Sequence, residues 1–149
     1  NRYTGLIALG LFKDEADVEN SPEQTFSPNL KPGDIKYKDL NGDGKIDSND
    51  MTEIGDPTVP QIVYGFGGSM QYKNFDFSVF FQGVAKTSLM MQNIHPFTSD
   101  QTTLLDFIAK DYWTEENPNP NAEYPRLISN LDSHNNFMNS TYWLRSATL

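Results

Sequence analysis

Residues 61–83 constrain the fold most. In QIVYGFGGSMQY, Ile62, Tyr64, Phe66, Gly68, Met70 and Tyr72 fall on one face of an extended chain. Gln61, Val63, Gly65, Gly67, Ser69 and Gln71 fall on the other. Side chains alternate sides only in a strand, so a period of two means β. After Lys73-Asn74 the pattern resumes in FDFSVFFQG. Phe75, Phe77, Val79, Phe81 and Gly83 share a face, and Asp76, Ser78, Phe80 and Gln82 share the other, with Phe80 the exception. The pattern predicts strands over about 61–72 and 75–83, joined by a tight turn. A half-buried soluble hairpin shows the same alternation. So does a transmembrane barrel hairpin, whose strands run about 9–11 residues. Two features favour the barrel. The face opposite the aromatics carries glycine and glutamine, where a soluble sheet more often shows Lys, Glu and Thr. Tyr64 and Tyr72 also stand near strand ends, as interfacial girdle residues do.

Upstream, Asp39 to Asp50 reads DLNGDGKIDSND. Calcium takes six to eight oxygens at about 2.3–2.6 Å, so a short chain must wrap around it and turn alternate side chains inward. Asp39, Asn41, Asp43, Lys45 (through its carbonyl), Asp47 and Asp50 occupy positions 1, 3, 5, 7, 9 and 12 of an EF-hand-type loop. Gly44 supplies the sharp turn. Ile46 is expected to tuck beneath. The competing reading is an Asp/Asn/Gly turn that binds nothing. Position 12 departs from the EF-hand, which has Glu there. Dockerin-type loops use Asp at this place, but a dockerin repeats the loop and this chain has it once. No exit helix follows either, since Gly55, Pro57 and Pro60 leave room for one turn at most. Calcium is thus expected as a structural staple.

The remainder reads as loops with few elements. Residues 1–12 suit a strand or packed segment. Residues 14–20 suit a short helix capped by Asp14, with Asp17 three residues on. Ile35 and Tyr37 alternate with lysines as a short strand. Residues 84–99 read as loop, and about 102–112 as a helix with Asp100 as N-cap and Leu104, Leu105, Ile108, Asp111 and Tyr112 at helical spacing. Tyr112 and Trp113 could stack on sugar, though packing is the commoner role for a helix-end aromatic. Residues 130–140 read as loop and 141–149 as a strand.

The net charge of −9 argues against nucleic acid and anionic membrane surfaces as partners. The chain has no cysteine, which removes thiol chemistry. His95 and His134 are the only histidines, and neither lies in a nucleophile or HExxH setting. No enzyme is expected. With no Met at position 1 and an abrupt stop in an apolar stretch, the chain reads as a piece of something larger.

In order along the chain stand Ala8-Leu9-Gly10-Leu11-Phe12, Pro32-Gly33-Asp34-Ile35-Lys36-Tyr37, the acidic loop, Ile54-Gly55-Asp56-Pro57 and Tyr64-Gly65-Phe66. Then come Phe75-Asp76-Phe77-Ser78-Val79-Phe80-Phe81-Gln82-Gly83, Tyr112-Trp113-Thr114-Glu115-Glu116-Asn117-Pro118, Tyr124-Pro125-Arg126 and Ser140-Thr141-Tyr142-Trp143-Leu144-Arg145-Ser146-Ala147. This succession resembles the C-terminal part of SusC/RagA-type TonB-dependent outer-membrane transporters. The resemblance implies a barrel of about 22 strands with a plug, a SusD-like surface lipoprotein lid, energy from the TonB complex, and oligosaccharide or peptide substrates. It implies a Gram-negative outer-membrane location in contact with lipid. Residues 1–60 and 84–140 would be extracellular loop regions, the first carrying the calcium loop and the second the helix. Residues 61–83 would be a barrel hairpin with a short periplasmic turn, and 141–149 the start of the next strand. The alternative reading is a secreted, calcium-stapled carbohydrate- or protein-binding module of dockerin-like type.

Overall fold

The computed structural model describes residues 1–91, 105–128 and 134–148. Among them the protein is mainly β, with five two-stranded pairings. Strand β1 (Tyr3–Gly5) and β2 (Ala8–Leu11) lead to helix α1 (Glu15–Glu19). Asp14 caps α1 by accepting the Asp17 N–H at 2.8 Å, the arrangement expected from the sequence. Lys36 lies 2.7 Å from Asp17 and, donating to that carboxylate, holds its pKa below the ordinary value. The short β3 (Glu23–Gln24) lies within the segment expected to be loop. It is followed by β4 (Ile35–Tyr37), β5 (Lys45–Ile46) and β6 (Thr52–Ile54). β4 pairs with β2, β5 runs parallel to β3, and β6 returns antiparallel to β1.

The hairpin is formed by β7 (Ile62–Tyr72) and β8 (Phe75–Ala85), paired from Ile62↔Ala85 to Tyr72↔Phe75. Lys73 closes the turn at φ 54°. The second strand therefore runs two residues beyond the expected Gly83.

Two further findings differ from the sequence expectation. Thr87–Met90 is a strand, β9, not loop, and it pairs antiparallel with β10 (Leu144–Ala147). The Lys86 N–H donates to the Ala147 carbonyl at 2.7 Å, carrying this ladder to the end of β8. The second helix, α2, covers only Asp106–Lys110. It stops because Tyr112 turns away to form a bridge with Tyr124. Its N-cap is Leu105, without a side-chain bond, while the proposed cap Asp100 and residues 102–104 lie outside the described residues.

The core brings these pieces together around Leu6, Ile35, Tyr37, Ile46, Ile108, Trp113, Tyr124 and Trp143. Each fully buried apolar side chain contributes about 1.5–3 kcal/mol relative to exposure. A polar network threads the same core. Gln24 donates to the Ile35 carbonyl and to Asn135 Oδ1, and accepts the Tyr37 N–H. Asn136 accepts the Ile35 N–H and donates to Asp34 at 2.8 Å. The Trp143 indole donates to the Asn136 carbonyl at 2.9 Å. Burial pushes the Tyr37 phenol well above its ordinary value, so it stays a neutral donor to the Asn135 carbonyl.

The exposed hairpin and the acidic loop

The hairpin leaves this core; from Val63 to Gln82 every residue is exposed, and only its base, at Ile62 and Ala85, is covered. Phe66, Met70, Tyr72, Phe75, Phe77 and Phe81 are each more than half exposed. All lie on one face, as the alternation predicted. Phe66 and Phe81 sit opposite each other and stack, with ring centroids 5.1 Å apart. A water-exposed apolar patch of this kind marks a contact surface, for protein or for lipid. Eleven residues of strand give roughly 36 Å of length, which at a tilt of about 45° rises about 25 Å, the height of a barrel's apolar band.

Phe80, the exception in the pattern, has a physical reason. A Cβ at Gly67 would sit 3.0 Å from Phe80 Cδ2, and one at Gly65 would sit 2.9 Å from its Cζ. The two glycines are therefore the floor on which this ring lies. Gly83 does the same for Tyr64 on the other face, where any Cβ would meet the phenol ring. Glycine in a strand interior often marks such a close approach.

The acidic loop is built from backbone-to-carboxylate bonds. Asp39 accepts from the N–H groups of Gly42 (2.6 Å) and Gly44 (2.9 Å). Asn41 Oδ1 accepts from Asp43, and Asp43 Oδ1 from Lys45. Gly42 and Gly44 have φ of 78° and 83°, the left-handed region that glycine enters without penalty. Asn41, Asp43 and Lys45 are exposed, Asp39 and Asp47 half-buried. Ile46 is buried beneath them, as expected.

Asp50 behaves differently from its neighbours, being fully buried. Oδ1 accepts from Leu40 at 2.8 Å and from Asn41, and Oδ2 from Asp47 at 2.9 Å. Asp47 and Asp50 form a reciprocal capping box around a 3-10 turn, Ser48–Asp50. Burial opposes ionisation of Asp50, but the N–H groups of Asp47, Leu40 and Asn41 outweigh it and hold its carboxyl below the ordinary range. Among the described residues no three His, Asp or Glu side chains gather closely enough to hold a metal ion. The chain then continues into β6, so a strand stands where an EF-hand would place its exit helix.

A depressed pKa gives a pH prediction with a definite sign. The stabilisation from ionised Asp50 is fully present above the unfolded carboxylate value of about 3.9 and is lost as pH falls through the lower folded value. Amide exchange over residues 39–50, corrected for intrinsic rates, should stay slow above about pH 5 and accelerate below about pH 3.9. Asp50→Asn should open the loop at neutral pH, costing about 1.5–3 kcal/mol. Unchanged protection in that variant would refute the clamp.

No family model matches the chain. TonB-dependent receptor P26 of Formosa agariphila is 36% identical over 127 residues, 83% of this chain. The chain belongs to the SusC-type TonB-dependent receptors. TonB-dependent receptor P3 of the same organism is 45% identical over 65 residues, 42% of this chain. TonB-dependent receptor SusC of Bacteroides thetaiotaomicron is 41% identical over 56 residues, 38% of the chain. The chain spans 12% of the length of P26 and 6% each of P3 and SusC. TonB-dependent receptors are outer-membrane proteins. No helix among the described residues is long and apolar enough to cross a membrane.

Sequence reasoning placed Asp39, Asn41, Asp43, Lys45, Asp47 and Asp50 on one loop, and they do share it. It read all six as calcium donors; in the structure the Asp39 and Asp50 carboxylates both accept backbone N–H groups. It missed the Gln24, Asp34, Asn135 and Asn136 network entirely. The only sequence signal for that network is a pair of asparagines in an otherwise irregular stretch, and nothing marks their distant partners.

Proposed function

We propose that this segment forms part of the barrel wall and outer loops of a receptor that imports oligosaccharides or peptides across the outer membrane. The observation that carries this is the bare eleven-residue hairpin with its aromatic face, taken with the relationship to SusC. The aromatic face meets lipid, and the face of Gly65, Ser69, Gln71, Asp76, Ser78 and Gln82 turns to the lumen. The two-residue turn at Lys73-Asn74 is periplasmic, and the acidic loop and α2 are extracellular. A SusD-like lipoprotein covers the mouth, and a TonB complex supplies energy. Uptake of a labelled oligosaccharide by cells carrying the receptor tests this, with deletion of residues 62–85 expected to abolish it. Uptake that survives the deletion would overturn the reading.

The same reading gives the acidic loop a calcium ion as a structural clip. Its donors are hard oxygens, which suits calcium, and two glycines at positive φ let the backbone fold around a centre. Asp39, Asn41, Asp43, Asp47 and the Lys45 carbonyl would hold the ion. Asp50 differs from these donors in being fully buried, with three backbone N–H groups on its two oxygens. The ion would supply charge neutralisation and rigidity, not chemistry. Calcium at about 100-fold above its Kd should stabilise the loop by about 2.7 kcal/mol. Exchange protection over 39–50 should therefore fall when a chelator is added, and Asp43→Ala should remove most of that response. A chelator-insensitive loop would exclude the ion.

A further inference from the structure

The chain has a single Asn-Gly dipeptide, Asn41-Gly42, and both residues are exposed. Asparagine followed by glycine is able to modify itself. The Gly42 nitrogen gives up its proton and bonds to Asn41 Cγ. The Cγ–Nδ2 bond breaks, and Nδ2 leaves as ammonia with that proton. Water then opens the five-membered imide at either carbonyl. One opening gives aspartate, and the other gives isoaspartate, in which the main chain runs through the side chain. Glycine favours the attack because no Cβ crowds its nitrogen. Space is open here as well, since a Cβ placed on Gly42 would meet nothing within 4 Å.

The closed loop holds both reacting groups. The Gly42 N–H donates to Asp39 Oδ1 at 2.6 Å, and a bond to a carboxylate is of the stronger kind. The Asn41 amide is tied at both ends to Asp43. Its Oδ1 accepts the Asp43 N–H at 2.9 Å, and its Nδ2 donates to Asp43 Oδ2 at 2.9 Å. Asp50 Oδ1 accepts the N–H groups of Leu40 and Asn41 and so pins the entry to this stretch. To react, the Gly42 nitrogen must leave Asp39, and the Asn41 amide must leave Asp43 and turn toward it. The loop therefore has to open first, and the rate follows the open fraction. We propose that Asn41 is a self-deamidation site guarded by the closed acidic loop. The product cannot restore the guard. An oxygen replaces Nδ2, so the donor to Asp43 Oδ2 becomes a second anion beside it. Isoaspartate also lengthens the main chain between Asp39 and Asp43. Each conversion thus leaves the loop open.

The test uses the receptor carrying this segment, in detergent at neutral pH. Every arm contains a chelator, which separates the result from the calcium proposal. Fragment mass spectra of peptides covering residues 39–50 read the exchange of an amide for a carboxyl at position 41. Conversion should be slow in the folded receptor and at least about tenfold faster after unfolding in guanidinium chloride. Asp50→Asn should quicken it roughly 10- to 100-fold by opening the loop. Asn20-Ser21, exposed and outside the loop, is the internal reference and should not respond to that variant. Equal rates in the folded and unfolded receptor would overturn the guard. An Asn41 that stays intact in the unfolded receptor would overturn the site. A rate unmoved by Asp50→Asn, while amide exchange over 39–50 quickens, would break the link between opening and reaction. Converted receptor that keeps its exchange protection over 39–50 would overturn the one-way step.

Discussion

Phe66→Arg should destabilise the receptor by about 2–4 kcal/mol, whereas Ser69→Arg on the opposite face of the strand should cost much less. Both residues are exposed and lie near the middle of β7, three residues apart. In water the two substitutions would be nearly equivalent. In a barrel they are not, because one points a guanidinium into hydrocarbon and the other into an aqueous lumen. Phe66 also loses its stacked partner Phe81, which adds about 0.5–1.5 kcal/mol. Reversible urea unfolding of the receptor in lipid vesicles measures both. Equal costs would reject the assignment of the aromatic face to lipid. A larger cost at Ser69 would invert it.

The hairpin was legible because a two-residue period fixes which side chains share a face, and one slipped residue would reverse every one of them. Phe80 broke the rule in the sequence and was explained only by a three-dimensional fact, the two glycines beneath it. Helix α1 was legible because its cap is local, with Asp14 bonding three residues ahead. The pairing of β9 with β10 was not, since Thr87, Ser88, Leu89 and Met90 show no alternation and their partners lie more than fifty residues away. The end of α2 was equally hidden, because the bridge from Tyr112 to Tyr124 overrides the helical spacing that continues through it. In the acidic loop the donor positions were readable but their use was not. A carboxylate that ligates and a carboxylate that caps need the same residue at the same place. What the sequence does not show at Asp50 is its full burial and the three backbone N–H groups on its oxygens.

The second large effect lies in the core. Arg126→Leu should cost about 3–5 kcal/mol, because it strands a charge. Asp34 is fully buried and accepts from Arg126 twice, from Asn136 at 2.8 Å and from the Lys31 N–H at 2.9 Å. This single carboxylate ties the 31–35 turn to segments about a hundred residues along the chain. Without the guanidinium its charge has only neutral donors left. The double variant Asp34→Leu/Arg126→Leu removes both charges, so it should recover part of the loss. Recovery should be incomplete, since the Lys31 N–H and the Asn136 amide then lose their acceptor. Amide exchange over residues 31–37 and 122–126 in the receptor measures the local cost directly, apart from the stability of the barrel. If the single variant opens this region no more than the double does, the ion pair is not what holds these segments together. The buried asparagine and glutamine network would then carry that task by itself.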